Sequence, residues 1–517
     1  MIKTIQLKQL RPISKLARPT INLTITRYNS QETSSKPLNF HRPDKAGSTE
    51  PADAADAAAT ILAEIRDRQI NPNKATWLDA MNEREKLKAE GKRIDSFSYV
   101  NPVTTDVTEK TRDDSFTYLL LPFKQDKWLC DAYINAFSRL RVGNILLDLD
   151  SLAGRIAYRH CSPAEPVNVT ASVDRIYMVK KVDEIFKFNF VLAGSVTWTG
   201  KSSMEITVKG YAFEDDIKEE NISADTLPDE NVFLSANFTF VARNPLTHKS
   251  FAINRLLPVT EKDWIDYRRA ESHNTKKKLM AKNKKMIEPT AEESRLIYDM
   301  WRSSKNIESP DKLSDHSNGI SFMKDTVQKS TLFMQPQYRN RHSYMIFGGY
   351  LLRQTFELAY CTAATFSAPP RFVSLDTTTF KTPVPVGSVL TMEASISYTE
   401  HLHNGDEKAY VDSPFDFKLP AMNKISSRPD VFLNEPGTLV QVKVDTFIQH
   451  LGSTDSKPAG TFIYSFFVPK VSSAGEENGF FSVIPQTYSE MMTYISGRRR
   501  AQETAQYVET LPKIDSE

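Results

Sequence analysis

Two adjacent glycines, Gly348 and Gly349, follow Ile346-Phe347 and open an apolar run through Leu351, Leu352, Thr355, Phe356, Leu358, Ala359 and Ala363. Paired glycines let a backbone pass close to another group, with no Cβ in the way. The apolar spacing predicts a helix that starts there. The first N–H groups of such a helix lack partners and can receive an anion or an oxyanion. Val142-Gly143 stands at the corresponding place in the first half, where the Val142 Cβ hinders close approach. Further residues that could do chemistry lie around these two starts. Asn135 and Asn340 precede them in loops, and both residues are also ordinary turn formers. Asp150 and Glu357 follow them on the helices. A half-buried acid there has a raised pKa and can act as a base, whereas a solvated one does neither. His342 is a base or a phosphate contact, or simply an exposed loop residue.

The elements that must position these residues occur twice. A helix is predicted over Asn144 to His160, with Ile145, Leu146, Leu149, Leu152, Ala153, Ile156 and Ala157 on its apolar side. Strands follow at Val167 to Val179, Ile185 to Val196, Ser203 to Phe213 and Val232 to Ala242. The second half repeats the order after Gly348-Gly349, with strands at Arg371 to Phe380, Val389 to Thr399, Thr438 to Gln449 and Gly460 to Val468. Ser172-Val173-Asp174 echoes Ser374-Leu375-Asp376. One helix and several antiparallel strands, twice, is an α+β duplication. Leu402 to Pro436 is extra in the second half and reads as a loop excursion.

Between the halves, Glu261 to Arg302 reads as helical and charged. Thr290-Ala291-Glu292-Glu293 has the pattern of a capping box. The basic run Lys276-Lys277-Lys278, Lys282, Lys284, Lys285 is expected on a solvated face rather than at phosphates.

Composition bounds the rest. The 517 residues allow two or three domains, and 66 basic against 64 acidic residues give no case for nucleic acid. Cys130, Cys161 and Cys361 are far apart, which fits a reducing compartment and argues against a structural metal. No apolar run approaches the roughly 20 residues of a membrane span. Lys3, Lys8, Arg11, Lys15, Arg18 and Arg27 all precede the first acid, Glu32, as in a mitochondrial targeting peptide. The organisation expected is a targeting peptide at 1–28, a polar and helical arm at 29–95, a first domain at 96–258, a charged helical linker at 259–329, a second domain at 330–500 and a tail at 501–517.

Several landmarks together carry a resemblance. They are Arg141-Val142-Gly143-Asn144, Ser195-Val196-Thr197-Trp198-Thr199-Gly200-Lys201, Gln335-Pro336-Gln337-Tyr338-Arg339-Asn340, Ile346-Phe347-Gly348-Gly349 and Lys381-Thr382-Pro383-Val384-Pro385-Val386-Gly387. From about Tyr118 to Ser496 the chain resembles the mitochondrial acyl-CoA thioesterases of the type 9 and 10 family. The resemblance implies two tandem hotdog domains, each a long central helix wrapped by an antiparallel β-sheet. It implies hydrolysis of acyl-CoA to fatty acid and CoA in the mitochondrial matrix, without a cofactor, in a homo-oligomer such as a trimer. It also implies that a helix start of one fold polarises the thioester carbonyl, while a carboxylate or amide of the other fold handles water. Gly348 and Gly349, with Gly143 as their counterpart, are then the oxyanion side. Asn135, Asn340, His342, Asp150 and Glu357 are the catalytic candidates, and Asn135 stands nearer the expected spacing than Asn340. One productive site is expected, built from Gly348-Gly349 and a residue of the first domain. A non-catalytic hotdog scaffold that binds acyl groups or a mitochondrial partner is the alternative. Asp311 and His316 have the spacing of a hydratase pair but lie in a polar linker.

Overall fold

The computed structural model describes residues 108–510, except 246, 283–286, 306–319, 341–344, 377, 403–435 and 471–479. The targeting peptide, the arm, His342, Asp311, His316 and nearly all of the Leu402–Pro436 excursion lie outside the described residues.

The first half contains β1 (Thr117–Leu121), α1 (Val142–Cys161), β2 (Val167–Met178), β3 (Asn189–Thr199), β4 (Ser203–Phe213) and β5 (Val232–Arg243). Two helices follow, α2 (Glu261–Lys282) and α3 (Ala291–Lys305). The second half contains β6 (Gln328–Phe333), α4 (Gly348–Phe366), β7 (Arg371–Leu375), β8 (Val389–Leu402), β9 (Gly437–Gln449) and β10 (Ser456–Pro469), and ends in α5 (Tyr488–Thr510). Each half is a long helix against an antiparallel sheet, the tandem hotdog arrangement. The strand order is β1-β3-β4-β5-β2 in the first half and β6-β8-β9-β10-β7 in the second. These are the same order, with the helix inserted at the same point.

The two sheets are one. Ser374 pairs with Tyr177 and Leu375 with Ile176, so β7 joins β2 edge to edge. The short strand Thr378–Thr379 continues the seam opposite Val173 and Ser172. Two half-sheets thus become eleven continuous strands, and their inner strands expose no edge.

Burial follows the apolar spacing of α1. Ile145, Leu146, Leu149, Leu152, Ala153, Ile156 and Ala157 are all fully buried. On α4 the buried positions include Leu352, Phe356, Ala359 and Ala363. Tyr464 is also buried and closes on Thr355 with an Oη–Oγ1 separation of 2.7 Å.

The outer faces of the sheet are covered as well, and Lys277 departs from the solvated face expected of the basic run, whereas Lys276 is exposed. Strand β3 is buried along its whole length because α2 lies over it. Asn274 of α2 donates to Glu205 at 2.9 Å, and Lys277 Nζ sits 2.6 Å from Asp174 Oδ1 and 2.9 Å from Thr239 Oγ1. Lys277 therefore neutralises a buried acid rather than facing water. Polar contacts dock this helix, so apolar periodicity could not announce it. Helix α5 covers the second half in the same way and runs across position 500. Ala501 and Thr504 are buried, and Gln441 donates to the Gly497 carbonyl at 3.1 Å. The capping box forms at the start of α3: Thr290 N donates to Glu293 Oε2 at 2.8 Å, and Glu293 N to Thr290 Oγ1 at 3.2 Å.

Candidate active site

Helices α1 and α4 pack against each other in opposite directions, each with its N-terminus at the middle of its partner. A Cβ on Gly349 would lie 2.9 Å from the Leu147 carbonyl oxygen of α1. One on Gly348 would lie 3.0 Å from Asp150 Oδ2, and one on Gly143 would lie 2.9 Å from Glu357 Oε1. The contact at Gly349 is with backbone, so that glycine permits the helix crossing, whereas those at Gly348 and Gly143 are with the ends of side chains. Two pseudo-equivalent helix-start sites result.

The site at Gly348-Gly349 takes its acid from the first half. Asp150 is fully buried on α1. Thr170 of β2 donates to Asp150 Oδ1 at 2.9 Å, and Oδ2 has no full hydrogen bond. Burial raises the Asp150 carboxyl to about 6, against the lowering effect of the Thr170 hydroxyl and the Gly349 amide. An acid with that pKa is mostly ionised at neutral pH and still basic enough to take a proton. Oδ2 lies beside a helix N-terminus, whose amides favour developing negative charge.

The other site is built differently. Arg141, the N-cap of α1, pairs with Glu357 at 3.0 Å. Counted from the first residue of each helix, the position of Asp150 falls on Phe356, one residue before Glu357. The echo of Ser172 in Ser374 likewise sets Phe372 at the position of Thr170. Phe356 and Phe372 meet edge to face, with centroids 5.4 Å apart. An aromatic pair replaces the acid and hydroxyl. Asn135 belongs to this second cleft, and its Oδ1 accepts the N–H groups of Phe137 at 2.9 Å and Arg139 at 3.0 Å. That oxygen holds a turn.

The structure thus brings Asp150, Gly348 and Gly349 together, and separately Asn135, Gly143 and Glu357. Asn340 is half-buried before α4, its N–H on the Met345 carbonyl at 2.7 Å. Sequence reasoning missed Thr170. A threonine in a strand is unremarkable, and only the register of β2 against α1 singles it out.

Among the described residues, Asp174, Glu205 and His273 bring ligand atoms within 4.8 Å of one another on the far face of the sheet. The Lys277 ammonium at Asp174 already supplies a positive charge there.

Several known proteins are similar to this chain. Acyl-coenzyme A thioesterase 2, chloroplastic, of Humulus lupulus is 34% identical over 312 residues, 59% of this chain and 68% of that protein. Acyl-coenzyme A thioesterase 4, mitochondrial, of the same plant is 32% identical over 58% of this chain, which spans 55% of that protein. Acyl-coenzyme A thioesterase 9, mitochondrial, of Homo sapiens is 27% identical over 84% of this chain and 87% of its own length. An acyl-CoA hydrolase of Staphylococcus aureus aligns with 34% of this chain and 92% of its own, at 19% identity and a TM-score of 0.27. No protein-family model matches the chain.

Proposed function

The chain belongs to the acyl-coenzyme A thioesterase family, and on that premise we propose that it hydrolyses acyl-CoA thioesters at the Asp150 site. The observation that carries this reading is the buried Asp150 Oδ2 set against the start of α4 at Gly348-Gly349, with Oδ1 occupied by Thr170. Asp150 Oδ2 takes a proton from a water molecule. The water oxygen attacks the thioester carbonyl carbon, and the carbonyl oxygen becomes negative. The N-terminal amides of α4 stabilise that charge. Collapse of the tetrahedral species breaks the C–S bond, and the proton held by Asp150 passes to the departing thiolate. Free acid and CoA leave. Thr170 fixes the carboxylate so that one oxygen faces the water and the other does not.

The protein is mitochondrial, as the relatives aligned along most of its length are named. The basic, acid-free start of the sequence supports delivery to the matrix. The edge strand Gln328–Phe333 pairs on one side only among the described residues, which supports self-association into a homo-oligomer.

The test is thiol release from acyl-CoA of short, medium and long chains by wild type, Asp150→Asn and Glu357→Gln. The expected result is a loss of at least about a hundredfold in Asp150→Asn, as for other removed acid–base groups, and a small change in Glu357→Gln. The opposite pattern would move the chemistry to the second cleft.

A further inference from the structure

The second cleft lacks the acid and the hydroxyl of the first, yet it encloses a cavity of about 380 Å³. Its apolar wall is built by Val142, Met178, Phe356 and Phe372. Its polar rim holds Arg139, Arg371 and Tyr360. All three carry a buried donor atom with no hydrogen-bond partner: Nη1 of Arg139, Nε of Arg371 and Oη of Tyr360. Buried donors are nearly always paired in folded proteins, and leaving one unpaired is costly. Three in one cavity point to a ligand that accepts hydrogen bonds.

The charge around them is net positive. Asp183 is shared by three cations, with Arg371 at 3.2 Å, Lys181 at 3.5 Å and Arg139 at 3.8 Å. One carboxylate cannot neutralise three cations. Lys180 also lines the cavity, while Glu357 is already held by Arg141. The acceptor that suits this rim is therefore anionic, and guanidinium groups favour a planar carboxylate that takes two donors at once. The volume is at the low end of small-molecule sites, about 300–1,000 Å³, and the wall is aromatic and aliphatic. These features fit an acyl chain of modest length better than a nucleotide.

We propose that this cavity binds a free fatty acid, with its carboxylate on Arg139, Arg371 and Tyr360 and its chain against Phe356 and Phe372. With Phe356 in the position of Asp150 and Glu357 held by Arg141, the cavity has no counterpart of the buried acid, so the ligand is held and not turned over. The assignment rests on the reading that hydrolysis occurs at Asp150.

The experiment is titration calorimetry of the full chain with decanoate, decanol and inorganic phosphate. Wild type is compared with Arg371→Met, Tyr360→Phe and Asp150→Asn, and decanoyl-CoA hydrolysis is measured on each. One decanoate per chain is expected. Binding should weaken about tenfold in Tyr360→Phe, which loses one hydrogen bond, and more in Arg371→Met, while Asp150→Asn binds as wild type does. Decanol should bind at least tenfold more weakly, and phosphate should not compete. Tyr360→Phe should hydrolyse decanoyl-CoA within about twofold of wild type. The proposal is overturned if decanoate does not bind, if both rim variants bind it unchanged, or if Asp150→Asn loses it. It is also overturned if Tyr360→Phe stops hydrolysis, because the cavity then belongs to the reaction path. Hydrolysis that persists in Asp150→Asn defeats the catalytic reading instead, and decanoate binding reports on the cavity independently of it.

Discussion

Thr170 Oγ1 and Asp150 Oδ1 are 2.9 Å apart, a hydrogen bond that ties strand β2 to the middle of helix α1 and leaves Asp150 Oδ2 at the start of α4. The bond holds the buried carboxylate in one orientation at the end of the glycine pair. Because Asp150 must be ionised to act as a base, kcat/KM should fall as pH drops through about 6, by tenfold per pH unit below it. A pH profile of thiol release from 4.5 to 8.5 reads this directly. A flat profile across that range would rule out Asp150 as the titrating base.

Thr170→Val keeps the shape of the side chain and removes the donor. The hydroxyl lowers the Asp150 pKa, so its loss should raise it and move the acid limb to higher pH. Activity at pH 6 should fall more than activity at pH 8. A uniform loss at all pH values would indicate misplacement of the acid rather than a change in its basicity.

Asp150 also links stability to pH. Its folded pKa, about 6, is above the ordinary aspartate value of 3.8, so the folded protein binds the proton more tightly than the unfolded chain. The contribution is fully favourable below about pH 4 and is lost as pH rises through about 6. The shift corresponds to a cost of order 3 kcal/mol at neutral pH. Asp150→Asn, which cannot ionise, should therefore be more stable than wild type by up to about that amount at pH 7.5 and no more stable at pH 4. Urea unfolding at the two pH values makes the comparison. Equal differences at both would mean that the carboxylate is not destabilised by burial.

The two glycines should fail in different ways. A methyl on Gly348 lies over Asp150 Oδ2 and 3.3 Å from Thr170 Oγ1, side-chain atoms that can move. Gly348→Ala should fold and lose rate, on the order of a hundredfold, as when one oxyanion contact is lost. A methyl on Gly349 meets the Leu147 carbonyl at 2.9 Å, which is helix backbone. Gly349→Ala should push the helices apart and cost about 1–3 kcal/mol as well. Unfolding midpoints measured beside thiol release separate the two; equal destabilisation would contradict the packing.

Much of the fold was legible in the residues. The strand Ser203–Phe213, the apolar side of α1, the capping box at Thr290 and Glu293 and the repeated order all depend on local spacing. The glycine pair pointed to the Asp150 site for the same reason. What spacing could not show was phase and register. Glu357 looked like the counterpart of Asp150, but one residue along a helix is a turn of about 100°, and Phe356 takes the inner position. Thr170 reaches Asp150 only because β2 crosses α1 at that point. The docking of α2 through Asn274 and Lys277 uses polar atoms, so it left no apolar stripe to read.

Asn135 gives the sharpest separation of the two sites. Its Oδ1 accepts from Phe137 and Arg139, and the turn it closes places Ser138 at φ 59°. Asn135→Ala removes both bonds, which should cost about 1–2 kcal/mol of stability and loosen the loop. If catalysis resides at Asp150, thiol release per folded molecule should stay within a few-fold of wild type. Activity normalised to folded protein, by near-ultraviolet circular dichroism or calorimetry, is the quantity to compare. A loss of a hundredfold or more in a fully folded Asn135→Ala chain would place water activation in the second cleft and make Glu357, beside the start of α1, the base in place of Asp150.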